Sequence, residues 1–123
     1  MLKNILLVGL GGGIGSVLRY AASLLINTKY FPYATFTVNI IGCFIIGLVF
    51  GLSIRDEAFL NNWKIFLASG LCGGFTTFSA FSLESLGLMQ SGKFGIALSY
   101  ISLSIVLGIL ATFAGYQLIV KNG

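Results

Sequence analysis

The stretch that decides the fold is Ser69-Gly-Leu-Cys-Gly73-Gly-Phe-Thr76-Thr-Phe78-Ser79-Ala-Phe81. It contains no charge and lies within a mostly apolar run from about Ile65 to Met89. A run that long is the length of a membrane-spanning helix, which takes roughly 20 mostly apolar residues. Yet Gly70, Gly73 and Gly74 fall within five residues, and each glycine weakens a helix by about 1 kcal/mol relative to alanine. Thr76, Thr77 and Ser79 follow, and their hydroxyls are able to satisfy backbone groups freed by a break. A spanning helix with a break at its glycines is the expectation. Broken helices at membrane depth occur where they are buried in protein or line a cavity. Freed carbonyls there suit a cation, and half-helix N-termini suit an anion.

The rest of the chain agrees with a membrane setting. Of 123 residues, 57% are hydrophobic and only 8% are charged, against about 25% charged in soluble domains. The mean hydropathy is +1.01. A soluble fold of this size has too little interior to hide so much apolar surface. This composition excludes an ordinary soluble domain, a disordered chain and a nucleic-acid module. The net charge of +4 rests on seven basic and three acidic residues, too few for a polybasic patch.

Four apolar runs are legible, at about residues 5–26, 35–54, 65–89 and 94–120. They use roughly 80 residues and leave no room for a soluble domain, so the whole chain reads as one four-span, all-α membrane domain. The N-terminal run continues past Gly15 without an Ala-x-Ala cleavage site, so it reads as an uncleaved first span. Asn27, Thr28, Lys29 and Pro32 form the first loop, with Tyr30 and Tyr33 at interfacial depth. Arg55, Asp56, Glu57, Asn61 and Asn62 form the second, with Trp63 and Lys64 as anchor. Gln90, Ser91, Gly92 and Lys93 form a short turn. Both termini then share one side. Lys3, Arg55, Lys64 and Lys121 lie on that side, against Lys29 and Lys93 on the other. The bias weakly favours cytoplasmic termini. So small a bias also permits insertion both ways round, and hence an antiparallel homodimer. A bundle this small has little interior of its own, so a pathway calls for a second copy.

Gly9/Gly13, Gly11/Gly15, Gly47/Gly51 and Gly70/Gly74 are small-xxx-small pairs that let helices approach closely. The run Gly11-Gly-Gly-Ile-Gly15 lacks the spacing, preceding strand and following acid of a dinucleotide loop. Cys43 and Cys72 sit in apolar runs, in no metal-ligand spacing, and His is absent; they read as small buried side chains. Three polar residues stand inside spans. Arg19 either snorkels or pairs with a carbonyl, or makes a positive vestibule that gathers anions. Asn39 is either interhelical glue or a charge-free donor to a dehydrated ion. Glu84 is the one carboxylate embedded in a span; it either makes a structural hydrogen bond or serves a proton-coupled exporter. Phe78 and Phe81 share a helix face. Ordinarily such rings only fill space, but their edges are positive and attract a small anion weakly, which suits conduction.

Three motifs together resemble one family. They are Gly11-Gly-Gly-Ile-Gly15-x-x-x-Arg19-Tyr20, then Thr37-Val-Asn39-Ile-Ile-Gly42, then Gly70-Leu-Cys-Gly73-Gly-Phe-Thr76-Thr-Phe78-Ser79-Ala-Phe81-Ser-x-Glu84. In this order and in these spans they resemble the Fluc (CrcB) fluoride channels of bacteria and archaea, over nearly the whole chain. The resemblance implies a dual-topology antiparallel homodimer in the inner (plasma) membrane. It would carry two pores for passive export of toxic cytoplasmic fluoride. By motif position, Asn39 would donate to fluoride, and Phe78 and Phe81 would turn their edges to it. Ser79 would belong to a polar track beside the rings. Tyr100 and Ser104 fall where the family places further pore-lining polar groups. Arg19 would lie toward a vestibule. Gly73 and Thr76 would give backbone carbonyls to a central structural Na⁺. The family commonly has Thr where this chain has Ala80, so one hydroxyl of the track is missing. The role of Glu84 stays open. Small multidrug-resistance exporters are similar in size and topology but carry their working Glu in the first span, where this chain has no acid. An intramembrane enzyme finds no His, metal cluster or nucleophile–base pair here.

Overall fold

The computed structural model describes residues 1–26, 31–56, 58 and 63–121. Within them lie four helical crossings long and apolar enough to span a membrane. The first is α1 (Leu2–Leu25) and the second α2 (Tyr33–Arg55). The third is built of three pieces: α3 (Ile65–Cys72), α4 (Gly73–Phe75) and α5 (Phe78–Gln90). The fourth is α6 (Phe94–Lys121). The loop residues Asn27, Thr28, Lys29, Tyr30, Glu57, Asn61 and Asn62, expected between spans, lie outside the described residues.

Local chemistry sets the helix ends. Pro32, which has no N–H to leave unpaired, sits at the N-cap of α2. The Thr77 side chain caps α5 by accepting the Ala80 N–H. Between α5 and α6, Gly92 takes φ +77°, a conformation that only glycine adopts without cost. The Gly92 and Lys93 N–H groups donate back to Met89 and Leu88 at 3.0 and 2.8 Å. This closes the short turn expected at residues 90–93 and sends α6 back antiparallel.

Lipid gives helices no hydrophobic reason to pair, so close backbone approach must do it. The glycines show where. Gly11 and Gly15 of α1 lie against the backbone of Phe66, Gly70, Leu71 and Phe75. Gly74 in turn lies against Gly12. On the other side of the bundle, Gly47 of α2 meets the Thr112 carbonyl, and Gly115 of α6 meets the Phe44 carbonyl. The bundle is therefore two tight pairs: α1 with α3 and α4, and α2 with α6. Gly9 and Gly13 have nothing within 4 Å of where a Cβ would stand, so within the chain this expected pair does not pack.

α3 is wound as a π-helix, with wider i→i+5 bonding. Gly70, Gly73 and Gly74 all remain helical. The interruption lies after them, at Thr76 (φ −87°, ψ 157°) and Thr77 (φ −150°, ψ 121°), which are extended.

This packing separates glycines that must be glycine from those that need not be. A Cβ on Gly15 would meet the Leu71 carbonyl oxygen and the Phe75 nitrogen, and one on Gly47 would meet the Thr112 carbonyl. Backbone does not step aside as a flexible side chain does. Gly15→Ala and Gly47→Ala should each destabilise the protein by about 1–3 kcal/mol. Gly13→Ala should leave stability unchanged or higher. Thermal unfolding in detergent checks all three.

Candidate ion site at the helix break

The break frees backbone groups that the bilayer will not hydrate, and side chains from three elements take most of them up. The Thr76 N–H and Oγ1 both donate to the Cys72 carbonyl, at 3.0 and 2.8 Å. The Asn39 amide of α2 grips the Thr77 peptide with two bonds. Its Oδ1 accepts the Thr77 N–H at 2.9 Å, and its Nδ2 donates to the Thr77 carbonyl at 3.2 Å. Arg19 Nε of α1 donates to the Gly74 carbonyl at 3.2 Å. Thr77 Oγ1 accepts the Ala80 N–H at 3.2 Å.

These bonds have a by-product. In an unbroken helix, the Gly73 carbonyl would accept from the Thr77 N–H, and the Thr76 carbonyl from the Ala80 N–H. Both donors are engaged elsewhere, by Asn39 and by the Thr77 hydroxyl. The Gly73 and Thr76 carbonyls thereby lose the donors that an unbroken helix would give them. A pair of neutral, hard oxygens is the donor type that a hard cation takes.

Beside the break lies a cavity of about 470 Å³. α2 contributes Asn39, Gly42, Cys43 and Ile46 to its wall. The third crossing contributes Cys72, Gly73, Thr76, Thr77, Phe78 and Phe81, and α6 contributes Ser104 and Ile105. Among the described residues, none on this wall carries a formal charge. Gly42 belongs there because a Cβ would run into the Thr76 side chain.

Six of the residues singled out from sequence therefore meet at one place: Asn39, Gly73, Thr76, Phe78, Phe81 and Ser104. Of the two readings that the sequence left open for Asn39, the structure shows the first, a bond between helices. One of its N–H bonds is tied to Thr77, and an amide has two. Ser104 Oγ is buried and has no hydrogen-bond partner. A buried hydroxyl without a partner costs about 1–3 kcal/mol. The Phe78 and Phe81 rings stand 5.7 Å apart, tilted by 44°. Phe78 is 77% exposed in the single chain.

The other three lie around this group. Ser79 is exposed beside the wall, with its Oγ 3.2 Å from Thr77 Oγ1. Arg19 approaches the break from the α1 side. Tyr100 is completely buried and stands behind the wall. Its ring is 5.0 Å from that of Phe81 and 5.3 Å, edge on, from that of Phe31. Tyr100 Oη donates to Glu84 Oε1 at 3.5 Å. Glu84 is not on the cavity wall; its partner is this buried phenol. Cys43 and Cys72 are free thiols.

The sequence named the Thr77 hydroxyl for freed backbone groups, and that hydroxyl takes up the Ala80 N–H; the sequence did not place Thr77 on the cavity wall. Sequence reasoning passed over Phe31. Phe31 follows the first loop and reaches Tyr100 only through tertiary packing, so no local pattern announces it.

Comparison with known proteins places the chain. Residues 6–116 match the family described as CrcB-like protein, Camphor Resistance (CrcB). A relative from Flavobacterium psychrophilum, named fluoride-specific ion channel FluC, is 54% identical over 118 residues, 93% of this chain and 94% of its own length. One of the same name from Azobacteroides pseudotrichonymphae is 50% identical over 121 residues, 96% of this chain and 97% of its own. A third from Listeria innocua, fluoride-specific ion channel FluC 1, is 40% identical over 121 residues, 96% and 98% of the two chains. With residues 6–116 matched by the family and relatives 40–54% identical over nearly its whole length, the chain belongs to the CrcB-like family.

Proposed function

We propose that this protein is a fluoride-specific channel of the plasma membrane, which lets toxic fluoride leave the cytoplasm passively. The observation that carries this reading is the uncharged cavity where unused neutral donors converge. Ser104 Oγ–H has no partner, Asn39 has one N–H left over, and the Phe78 and Phe81 rings border the same space. The names of the full-length relatives agree with it.

The physics favours a small, strongly hydrated anion. Fluoride gives up water only where donors replace it. A buried amide N–H, a hydroxyl and ring edges do so without a fixed positive charge that would hold the ion too long. Arg19 contributes potential from the side. Its Nε is tied to Gly74, so the guanidinium draws anions toward the break without entering the cavity wall. In the exporter alternative, Glu84 would load and release protons along the path. Its engagement with the buried Tyr100, off the cavity wall, favours the channel.

The working unit in this reading is an antiparallel homodimer with two pores. A single chain leaves Gly73, Phe78 and Ser79 exposed at the depth of the break. Lipid does not accept released carbonyls and hydroxyls, and a second copy lying over this face would cover them. The Gly73 and Thr76 carbonyls would hold a structural Na⁺ there. Such an ion supplies the positive charge that the two released carbonyls lack a hydrogen to replace.

Purified protein in liposomes loaded with fluoride should release it down its gradient with no proton gradient applied. No fluoride release from a folded protein overturns the reading, and fluoride driven uphill by protons turns it into an exporter. Phe81→Ile and Ser104→Ala should both slow release, Phe81→Ile by about a hundredfold or more if the ring edge contributes about 3 kcal/mol. Asn39→Asp separates the two halves of the amide. It keeps an oxygen for the Thr77 N–H, loses both N–H bonds and adds a charge, so conduction should vanish while the folded protein persists. Exhaustive exchange of Na⁺ for a large organic cation should loosen the dimer on size exclusion and stop release; unchanged behaviour would count against the carbonyl-bound ion.

A further inference from the structure

Thr77 Oγ1 and Ser79 Oγ stand 3.2 Å apart and share a hydrogen bond that either atom is able to donate. Thr77 Oγ1 also accepts the Ala80 N–H at 3.2 Å. A hydroxyl has one hydrogen and two lone pairs. When Ser79 donates, both lone pairs of Thr77 Oγ1 are occupied and the Thr77 hydrogen is unused. When Thr77 donates, the Ser79 hydrogen is unused. In both arrangements one O–H is left over, and rotation about the two Cβ–Oγ bonds transfers it from one oxygen to the other. The Ala80 N–H fixes Thr77 Oγ1 in place throughout, so only hydrogens move.

Position gives this pair its meaning. Thr77 lines the cavity beside Asn39 and Phe78, and Ser79 is exposed next to it. The backbone that carries them is held rigid by the two Asn39–Thr77 bonds. We infer that Thr77 and Ser79 form one anion-donating subsite of reversible polarity, serving a small anion that accepts strong hydrogen bonds. An ion leaving Thr77 for Ser79 meets a donor at each position, because reversal of the shared bond presents the hydrogen where the ion arrives. This rests on the fluoride reading and adds to it a residue, Thr77, with a direct part in the path.

The test is fluoride release from liposomes, with thermal unfolding and size exclusion of the same preparations. Thr77→Gly removes the hydroxyl and with it the cap on the Ala80 N–H, so it should unfold at a lower temperature than wild type. Where size exclusion shows it folded, it should lower the flux about tenfold or more, the fold-change expected when one hydrogen bond to an ion is lost. Thr77→Ser restores a hydroxyl and should recover most of that loss. Ser79→Ala should also slow release, and the double variant Thr77→Gly with Ser79→Ala should be little slower than Thr77→Gly alone, since the two act as a unit. Wild-type flux in Thr77→Gly, or Thr77→Ser as slow as Thr77→Gly, overturns the pair. Should Thr77→Gly not fold, Ser79→Ala decides, because the Ser79 hydroxyl caps no helix: undiminished flux there overturns the proposal. If the wild-type protein itself releases no fluoride, the channel reading fails; if it does while these variants match it, only the pair fails.

Discussion

One constraint governs this molecule: a backbone N–H or carbonyl freed inside a bilayer must find a partner within the protein, or cost several kcal/mol. The third crossing breaks that rule at Thr76 and Thr77, and the surrounding structure answers the breach. α2 sends Asn39 to take both ends of the Thr77 peptide. α1 sends Arg19 to the Gly74 carbonyl. The crossing itself supplies the Thr76 and Thr77 hydroxyls. Arg19 reaches the break because α1 lies backbone against backbone with the third crossing, and that is what Gly11, Gly15, Gly70 and Gly74 permit. The glycines bring α1 to the break, and the break gives the polar side chains of α1 and α2 something to bind.

The sequence made the four crossings legible because their signal is additive: roughly 20 apolar residues announce a span whatever they touch. The interruption was legible as a composition of glycine and hydroxyls, but its place was not. Gly70, Gly73 and Gly74 are weak helix formers in water, and on that basis the break belongs among them. In the folded chain Gly70 and Gly74 serve close contact with α1 and stay helical. The ladder fails two residues later, where Asn39 competes for the Thr77 N–H. That competition comes from a residue 38 positions away, which no local rule sees. The same reasoning applies to the glycine pairs. Spacing marks Gly9/Gly13 and Gly11/Gly15 equally, and only the second pair faces a neighbour within the chain.

The candidate site was legible to a similar depth. Asn39, Phe78, Phe81 and Ser104 were picked by residue type and motif position, and all four face one cavity. Tyr100 was grouped with them, yet it stands behind Phe81, fully buried and bonded to Glu84. A tyrosine in an apolar helix gives no sign of which way it points. Its place has a physical logic: a phenol is able to donate to the one carboxylate embedded in a span, and its ring packs against that of Phe81, 5.0 Å away.

The charges close the account. Arg19 and Glu84, the two ionisable groups of opposite sign embedded in the spans, are each engaged next to the cavity and absent from its wall. What faces the cavity is an amide, hydroxyls, thiols, rings and the aliphatic side chains of Ile46, Ala68 and Ile105. An anion there feels donors that are strong when desolvated but carry no net charge, so the attraction falls away within a few ångströms. That is the condition for an ion to shed its water and still depart. The Ala80 N–H is what anchors Thr77 Oγ1, and Thr77 with Ser79 already sets two hydroxyls side by side at the cavity's edge. The backbone of residue 80 holds the donor in place, and its side chain is free to be small.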